Sequence, residues 1–130
     1  MKMEKRDIRL AVVGSRTFTD RKLCWKILDD LRTKYNITEI VSGGARGADS
    51  YGEAYSDYYH IKKTIFPAEW DKYGKKAGYL RNVDIIKNCD VCIAFWDGES
   101  RGTLHDLELC IKYNKICYVY NFITKEYYEY

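Results

Sequence analysis

The feature that most constrains the fold is a regular alternation of apolar runs with amphipathic stretches. Between the runs, leucine and isoleucine recur at the three- and four-residue spacing of a helix with one buried face. Strands that are apolar throughout are typical of parallel sheets covered on both faces. The pattern predicts an α/β fold, a Rossmann-like, doubly wound parallel sheet of about five strands. The predicted strands are residues 8–13, 37–41, 61–66, 91–95 and 116–120.

Helices are predicted between these strands, the first beginning after Thr19 or Asp20, either of which can cap it. The tyrosine-rich residues 121–130 leave three options open: a further strand, packing on a neighbour, or a loose tail. Residues 1–130 are expected to form a single domain, with residues 1–7 and 122–130 at its periphery. The other helices are predicted near residues 48–59, 78–88 and 103–113, with a polar loop at 68–76.

Composition limits the classes of function. The formal net charge of +3 is too small to indicate nucleic-acid binding by itself, and it suits a site for a small anion. No apolar run approaches the roughly 20 residues of a membrane span, and the charged residues 1–7 lack the apolar segment of a signal peptide. We therefore expect a cytoplasmic protein with no membrane partner, and nucleic acid is not expected as a partner either.

The five cysteines, at positions 24, 89, 92, 110 and 117, are scattered along the chain and odd in number, which fits a reducing compartment. Cys89 and Cys92 have the C-x-x-C spacing. A zinc site would require two more clustered ligands, and a redox pair usually precedes a helix rather than an apolar strand. The sequence therefore favours buried structural cysteines, and it predicts no metal site and no cofactor.

A glycine-rich turn, Ser42-Gly43-Gly44-Ala45-Arg46-Gly47-Ala48-Asp49, joins the second predicted strand to the second helix. Glycines let the backbone approach a phosphate closely, and the start of a helix presents unpaired N–H groups. The pattern is neither the full G-x-G-x-x-G nor the Walker motif, so the turn needs support from other loops. We interpret it as the cradle for a nucleotide phosphate, with Asp49 either capping the helix or contacting ribose hydroxyls.

Other loops leave the same edge of the predicted sheet, because the carboxyl ends of parallel strands meet there and bind ligands. Arg16 and Ser15 suit phosphate or ribose, and Trp70 suits either base stacking or packing as a loop anchor. Asp106 either stabilises its helix, pairs with Arg81, or binds ribose hydroxyls and polarises water. The candidate ligand-binding residues are Gly14, Ser15, Arg16, Ser42, Gly43, Gly44, Arg46, Gly47, Asp49, Trp70, Arg81, Asn82, Trp96, Gly102 and Thr103.

Four segments, GSRTFTD, SGGARGAD, FPAEWDKYGKKAGYLRN and IAFWDGESRGT, occur in this order in the chain. Together they resemble the YspA-like branch of the SLOG superfamily, relatives of DNA-processing protein A and of Lonely Guy proteins, over about residues 8–120. The resemblance implies a SLOG-type Rossmann-like domain with a pocket for nucleotides or nucleotide derivatives. It further implies a protein that senses or sequesters a ligand such as ADP-ribose, cyclic ADP-ribose or an NAD-like molecule.

The same resemblance implies an alternative activity. Lonely Guy enzymes cleave the N-glycosidic bond of nucleoside monophosphates with a helix arginine and the glutamate of a P-G-G-x-G-T-x-x-E motif. Arg81 resembles that arginine in position, and Asp106 falls where the glutamate would be, so these two are the catalytic candidates if the protein is an enzyme. In this chain Trp96-Asp97-Gly98 replaces Pro-Gly-Gly, and the acid is one methylene shorter.

The sequence leaves open which nucleotide binds and whether it is consumed. The tyrosine-rich tail and other aromatic residues make a homo-oligomer an expectation as well.

Overall fold

The computed structural model describes residues 4–130, in which one sheet carries helices on both faces. Residues 1–3, part of the predicted periphery, lie outside the described residues. The elements are β1 (Arg6–Gly14), α1 (Arg21–Lys34), β2 (Tyr35–Ser42), α2 (Ala48–Tyr58), β3 (Lys62–Ile65), α3 (Trp70–Tyr73), a 3-10 turn (Gly74–Lys76), α4 (Ala77–Lys87), β4 (Val91–Trp96), α5 (Arg101–Lys112), β5 (Ile116–Asn121) and β6 (Glu126–Glu129).

The strand order is β3-β2-β1-β4-β5-β6, with the first five strands parallel and β6 antiparallel to β5. The chain moves outward from β1 to β3 and then returns to β4 on the other side of β1. The connections therefore diverge between β1 and β4, which is the switch point where such sheets bind ligands. This topology confirms the predicted doubly wound sheet, with six strands instead of about five.

Alternation along the strands divides the core into two halves. Leu10 and Val12 of β1 pack with the helices α1 and α2, while Ala11 and Val13 pack with α4 and α5. All four side chains are buried, as expected of a parallel strand covered on both faces. The two helix layers therefore hold β1 and β4 rigidly at the centre of the sheet.

The predicted cap of the first helix is confirmed, because Oδ1 of Asp20 accepts the Leu23 N–H at 3.1 Å. The polar loop predicted at residues 68–76 is instead the short helix α3 followed by a 3-10 turn. Only four residues form α3 and none of them is buried, so no apolar periodicity marked it. None of the helices within residues 4–130 has the length and apolarity that a membrane crossing requires.

The tyrosine-rich tail takes the first of the three options left open, a further strand. β6 pairs with β5 from Tyr118↔Glu129 to Asn121↔Glu126, and the Tyr130 N–H donates to the Cys117 carbonyl at 2.8 Å. All four residues of β6 are exposed, so main-chain hydrogen bonds hold the strand more than burial does.

Gly14 ends β1 at the point where three elements converge. A Cβ at this position would lie 2.5 Å from the Phe95 carbonyl oxygen of β4 and 2.9 Å from the Ala48 Cβ of α2. Both neighbours belong to backbone or to a fixed small side chain, so neither moves aside easily. The absence of a side chain at Gly14 therefore permits the close approach of β1, β4 and α2.

We predict that Gly14→Ala lowers the free energy of unfolding by about 1–3 kcal/mol, because the new methyl overpacks this junction. The matched control is Gly102→Ala in the first turn of α5, where a Cβ would meet nothing within 4 Å. The control should leave stability unchanged or raise it by up to about 1 kcal/mol. Urea unfolding followed by circular dichroism measures both, and a Gly14→Ala protein as stable as the wild type would contradict the packing argument.

Candidate functional site

A cavity of about 440 Å³ opens at the carboxyl ends of β1 and β4, at the switch point of the sheet. Its size falls within the range of small-molecule sites. Five segments contribute to it: the loop after β1, the glycine-rich turn, the α3–α4 region, the loop after β4 and the start of α5. The lining residues are Val13, Gly14, Ser15, Arg16, Thr17, Ala45, Asp49, Trp70, Lys75, Gly78, Tyr79, Arg81, Asn82, Ile85, Asp97, Ser100, Gly102, Thr103 and Asp106.

Two carboxyl groups lie in the wall of this cavity, and both are about 4% exposed. Asp49, in the first turn of α2, accepts the Gly43 N–H at 2.8 Å. Asp106, in the second turn of α5, has an Oδ1 atom that accepts no hydrogen bond from the described residues. A buried carboxyl oxygen without a donor is costly, so Asp106 is the wall residue most in need of a polar partner.

Burial changes the proton affinity of both acids. It raises the pKa of Asp49 to about 6, against the lowering effect of the Gly43 N–H and the Arg81 charge. Burial also raises the pKa of Asp106 well above its ordinary range, and the nearby Asp49 charge adds to this. Near neutral pH Asp49 is therefore mostly ionised, whereas burial favours the protonated form of Asp106, which can donate as well as accept a hydrogen bond.

Arg81 lies against the glycine-rich turn and also lines the cavity. Its Nη1 donates to the Gly43 carbonyl at 2.8 Å, and a Cβ on Gly43 would lie 2.5 Å from that nitrogen. Its Nε is buried and has no hydrogen-bond partner among the described residues. The turn thus fixes the guanidinium, and Nε is a buried donor that still lacks a partner among the described residues.

The glycine-rich turn differs from the free phosphate cradle that the sequence suggested. The Gly43 N–H is taken by Asp49 and the Gly43 carbonyl by Arg81. Gly43, Gly44 and Arg46 line a second hollow of about 300 Å³, which shares Arg16, Ala45, Trp70 and Arg81 with the main cavity. The turn therefore forms one wall of the cavity and also lines the adjoining second hollow. Its Gly43 N–H already donates to Asp49 and is not free for a phosphate.

Two other residues expected in the ligand site at this turn have internal roles. The buried Ser42 hydroxyl donates to Glu53 of α2, and Gly47 precedes α2 with a φ of 80°. A Cβ at Gly47 would lie 3.0 Å from the Ser15 carbonyl oxygen. Neither residue lines the cavity or the second hollow.

The start of α5 presents its amides to the cavity. Oδ1 of Asp97 accepts the Glu99 and Ser100 N–H groups at 2.9 and 2.7 Å, which shapes the loop before the helix. The Ser100 side chain makes no capping hydrogen bond, and Gly102 and Thr103 line the cavity. The first turn of α5 thus offers unpaired N–H groups and the positive end of the helix dipole.

Trp96 and Asn82 contact backbone carbonyl groups at the start of α5. The Trp96 indole N–H donates to the Ser100 carbonyl at 3.1 Å, and the ring packs against the α4–α5 half of the core, outside the cavity. Asn82, which does line the cavity, has Nδ2 at 3.4 Å from the Gly102 carbonyl and 3.2 Å from Nδ1 of His105. Both side chains hold the start of α5 in place.

The rim of the cavity is aromatic and basic. Trp70 and Tyr79 are 52% and 53% exposed, and Arg16 and Lys75 stand beside them. Trp70 was a sequence candidate, whereas Tyr79 was not. Tyr79 precedes Asn82 by three positions on α4, so projecting the helix from Asn82 would have found it.

Residues 8–73 match the profile of the YspA, cpYpsA-related SLOG family. The Gene 61 protein of Mycobacterium phage D29 is 38% identical over 105 residues, covering 75% of this chain and 83% of the phage protein. The chain belongs to this SLOG family. The predicted membership of the YspA-like branch of the SLOG superfamily is thereby confirmed.

Two solved structures share the fold. DNA processing protein A from Streptococcus pneumoniae aligns with a TM-score of 0.69 and 20% identity over 85% of this chain. DNA processing protein A from Helicobacter pylori aligns with a TM-score of 0.59 and 21% identity over 86% of this chain. The chain spans 49% and 64% of the length of these two proteins, so the similarity concerns their shared α/β unit.

One expectation from the sequence is wrong. Nucleic acid was not expected as a partner, yet the structure of the Helicobacter pylori protein is described by its single-stranded DNA binding mode. The expectation rested on a net charge of +3, which averages over the whole surface. Net charge does not register a local group of basic and aromatic side chains such as Arg16, Lys75, Trp70 and Tyr79 at this rim.

We predict that Asp49 makes the stability of the fold depend on pH. Its pKa is about 6 in the folded protein and 3.8 ordinarily, so the folded state binds more protons between these values. Stability therefore falls as pH rises through this range, by about 1 kcal/mol between pH 5 and 7 from this group. Asp49→Asn should abolish that contribution.

The measurement is the free energy of unfolding of both proteins at pH 5 and pH 7. Burial lowers the pKa of His105, which acts with the opposite sign near the same pH. The difference between wild type and Asp49→Asn is therefore the quantity compared. If the two proteins showed the same change from pH 5 to pH 7, the assignment of a raised pKa to Asp49 would be contradicted.

Proposed function

We propose that this chain binds a nucleotide unit in the cavity at the switch point of the sheet. The observation that carries the proposal is the pair of buried polar atoms in the cavity residues, Oδ1 of Asp106 and Nε of Arg81, that no described residue satisfies. Buried polar atoms are nearly always hydrogen-bonded in folded proteins, so two unsatisfied atoms in residues that line one cavity favour a polar ligand.

The surrounding groups indicate which part of the ligand goes where. The first turn of α5 and the Arg16 guanidinium suit a phosphate, because both offer N–H donors with positive charge. Asp106 and Asp49 suit ribose hydroxyls, which can donate to a carboxylate or accept from a carboxylic acid. The exposed Trp70 ring suits a base, because every base has a face that stacks on an aromatic ring.

The second hollow bears on the size of the ligand. A mononucleotide fits a cavity of about 440 Å³, and the adjoining hollow adds space lined by Gly43, Gly44 and Arg46. A ligand with two phosphates and a second ribose would extend along the glycine-rich turn. ADP-ribose, cyclic ADP-ribose and NAD-like molecules are therefore the ligands we propose first, with sensing or sequestration as the role.

Titration calorimetry with AMP, ADP-ribose, cyclic ADP-ribose, NAD⁺ and adenosine tests this proposal. We predict that at least one phosphorylated ligand binds with a dissociation constant below millimolar. Adenosine should bind at least about tenfold more weakly, because it lacks the charged hydrogen bonds of a phosphate. Asp106→Asn should weaken the binding of that ligand by about 1–3 kcal/mol. Glu108→Gln, an exposed change on the same helix, is the matched control.

If none of the panel binds below millimolar, the proposal of a free nucleotide ligand is wrong. If Asp106→Asn and Glu108→Gln bind the ligand equally well, the ligand lies elsewhere.

Hydrolysis of the N-glycosidic bond remains an alternative, and the placement of Arg81 and Asp106 in one cavity favours it. A carboxyl group of raised pKa beside a fixed guanidinium is a combination found at catalytic sites. Chromatography of the same ligand mixtures decides the matter, because only an enzyme releases free base. Release that Asp106→Asn leaves unchanged would remove Asp106 from the reaction.

Single-stranded nucleic acid is the second candidate ligand, favoured by the exposed aromatic residues Trp70, Tyr73 and Tyr79 and by the rim lysine Lys75. Stacking on aromatic rings combined with basic side chains is a general mode of single-strand binding. A protein that shares this fold binds single-stranded DNA. In this version of the proposal, the cavity holds one nucleotide of the strand and the rim holds its neighbours.

We predict that a fluorescent single-stranded oligonucleotide binds with an affinity that falls as salt rises, because phosphate contacts release counterions. Trp70→Ala should weaken binding by about 1–3 kcal/mol, the value of one stacked base. Tyr58→Ala, which removes an exposed aromatic ring on α2, is the control. An anisotropy signal that does not change with salt or with Trp70→Ala would exclude this mode.

A homo-oligomer is also proposed, supported by the exposed tyrosines 127, 128 and 130 at the end of the sheet. The five free, buried cysteines support the proposal of a cytoplasmic location.

A further inference from the structure

Three cysteines from separate elements meet in the α4–α5 half of the core. Cys92 lies on β4, Cys117 is its register partner on β5, and Cys110 lies on α5, which covers both strands. Their sulphur atoms all lie within 4.8 Å of one another. The three side chains are no more than 3% exposed, so a thiol cluster is sealed between the sheet and the helix.

The spacing of the sulphur atoms matches a metal centre better than a disulfide. A disulfide requires two sulphurs about 2.05 Å apart, and all three cysteines are free thiols. Around a tetrahedral metal with sulphur ligands at about 2.3 Å, the sulphurs lie about 3.8 Å apart. A contraction of about 1 Å or less would bring the cluster to that geometry.

We propose that Cys92, Cys110 and Cys117 form a binding site for a soft, thiophilic divalent cation, with zinc as the representative ion. Thiolate ligands select soft and borderline metals over magnesium or calcium. The cluster lies among apolar side chains such as Ala94 and Val119, where a large net charge is costly. Three thiolates leave one negative charge with a divalent ion and two with a monovalent ion, so the divalent ion is favoured.

Binding requires no oxidant, because each thiol that becomes a ligand releases its proton to solvent. No fourth histidine, cysteine or carboxylate of residues 4–130 falls within the same cluster. The ion would therefore be held by three protein ligands, with a further coordination position open.

The edge of the sheet supplies a route to the cluster. Cys117 lies on β5, and only β6 separates it from the edge. Tyr128 pairs with Val119 and so shares its face, while the Tyr130 N–H donates to the Cys117 carbonyl. A four-residue exposed edge strand opens more readily than the rest of the sheet, so displacement of β6 would admit an ion.

Titration of the reduced, metal-free chain with cadmium tests the proposal, because cadmium thiolates absorb in the ultraviolet by charge transfer. We expect saturation at one cadmium per chain and no effect of magnesium. Cys110→Ala and Cys117→Ala should each weaken binding at least about tenfold. Cys24→Ala, which changes a buried cysteine on the opposite face of the sheet, should bind as the wild type does.

A measurement on the wild type does not depend on the variants folding. X-ray absorption of the zinc-loaded protein should show about three sulphur neighbours at about 2.3 Å. A coordination shell of nitrogen and oxygen alone would overturn the proposal. So would the absence of a charge-transfer band with excess cadmium, or a band of equal strength and affinity in Cys117→Ala.

Discussion

The close approach of β1, β4 and α2 at Gly14 is the constraint on which the rest of the site depends. Because no side chain stands between Gly14 and the Phe95 carbonyl, the strands meet at the switch point and their loops diverge around one cavity. Asp49 then ties the start of α2 to the glycine-rich turn, and Arg81 ties α4 to the same turn. Two hydrogen bonds to the Gly43 backbone thus hold α2, α4 and the glycine-rich turn together at the cavity.

The elements that the sequence predicted best are those that bury apolar surface. Strands 91–95 and 116–120 were found within one residue of their observed bounds, because an uninterrupted apolar run has few other places in a folded chain. The short helix α3 and the strand β6 were not specified, because their residues are exposed and carry no periodic pattern. The conformation of β6 depends on its pairing with β5, and that of α3 on the residues around it. A short window of sequence does not contain this information.

In the candidate site, the position of the loops could be predicted from the sequence, but their hydrogen bonds could not. The sequence predicted that the loops lie at one edge of the sheet, because the carboxyl ends of parallel strands meet there. It did not show that the Gly43 N–H already donates to Asp49, and for this reason we propose the start of α5 rather than the turn as the phosphate position. Hydrogen-bond partners on separate loops are a tertiary property, so a motif alone does not reveal whether its donors remain free.

The thiol cluster is another tertiary feature that a local sequence pattern does not reveal. It is also connected to the cavity, because both include residues of α5. Cys89 and Cys92 suggested a pair by spacing, whereas the sheet register and α5 place Cys92 with Cys117 and Cys110. Asp106 and Cys110 are four residues apart on α5, so they project from one face of that helix. The helix whose first turn faces the cavity therefore also closes the thiol cluster, and a cation that draws α5 toward β4 and β5 would act on the wall residue Asp106.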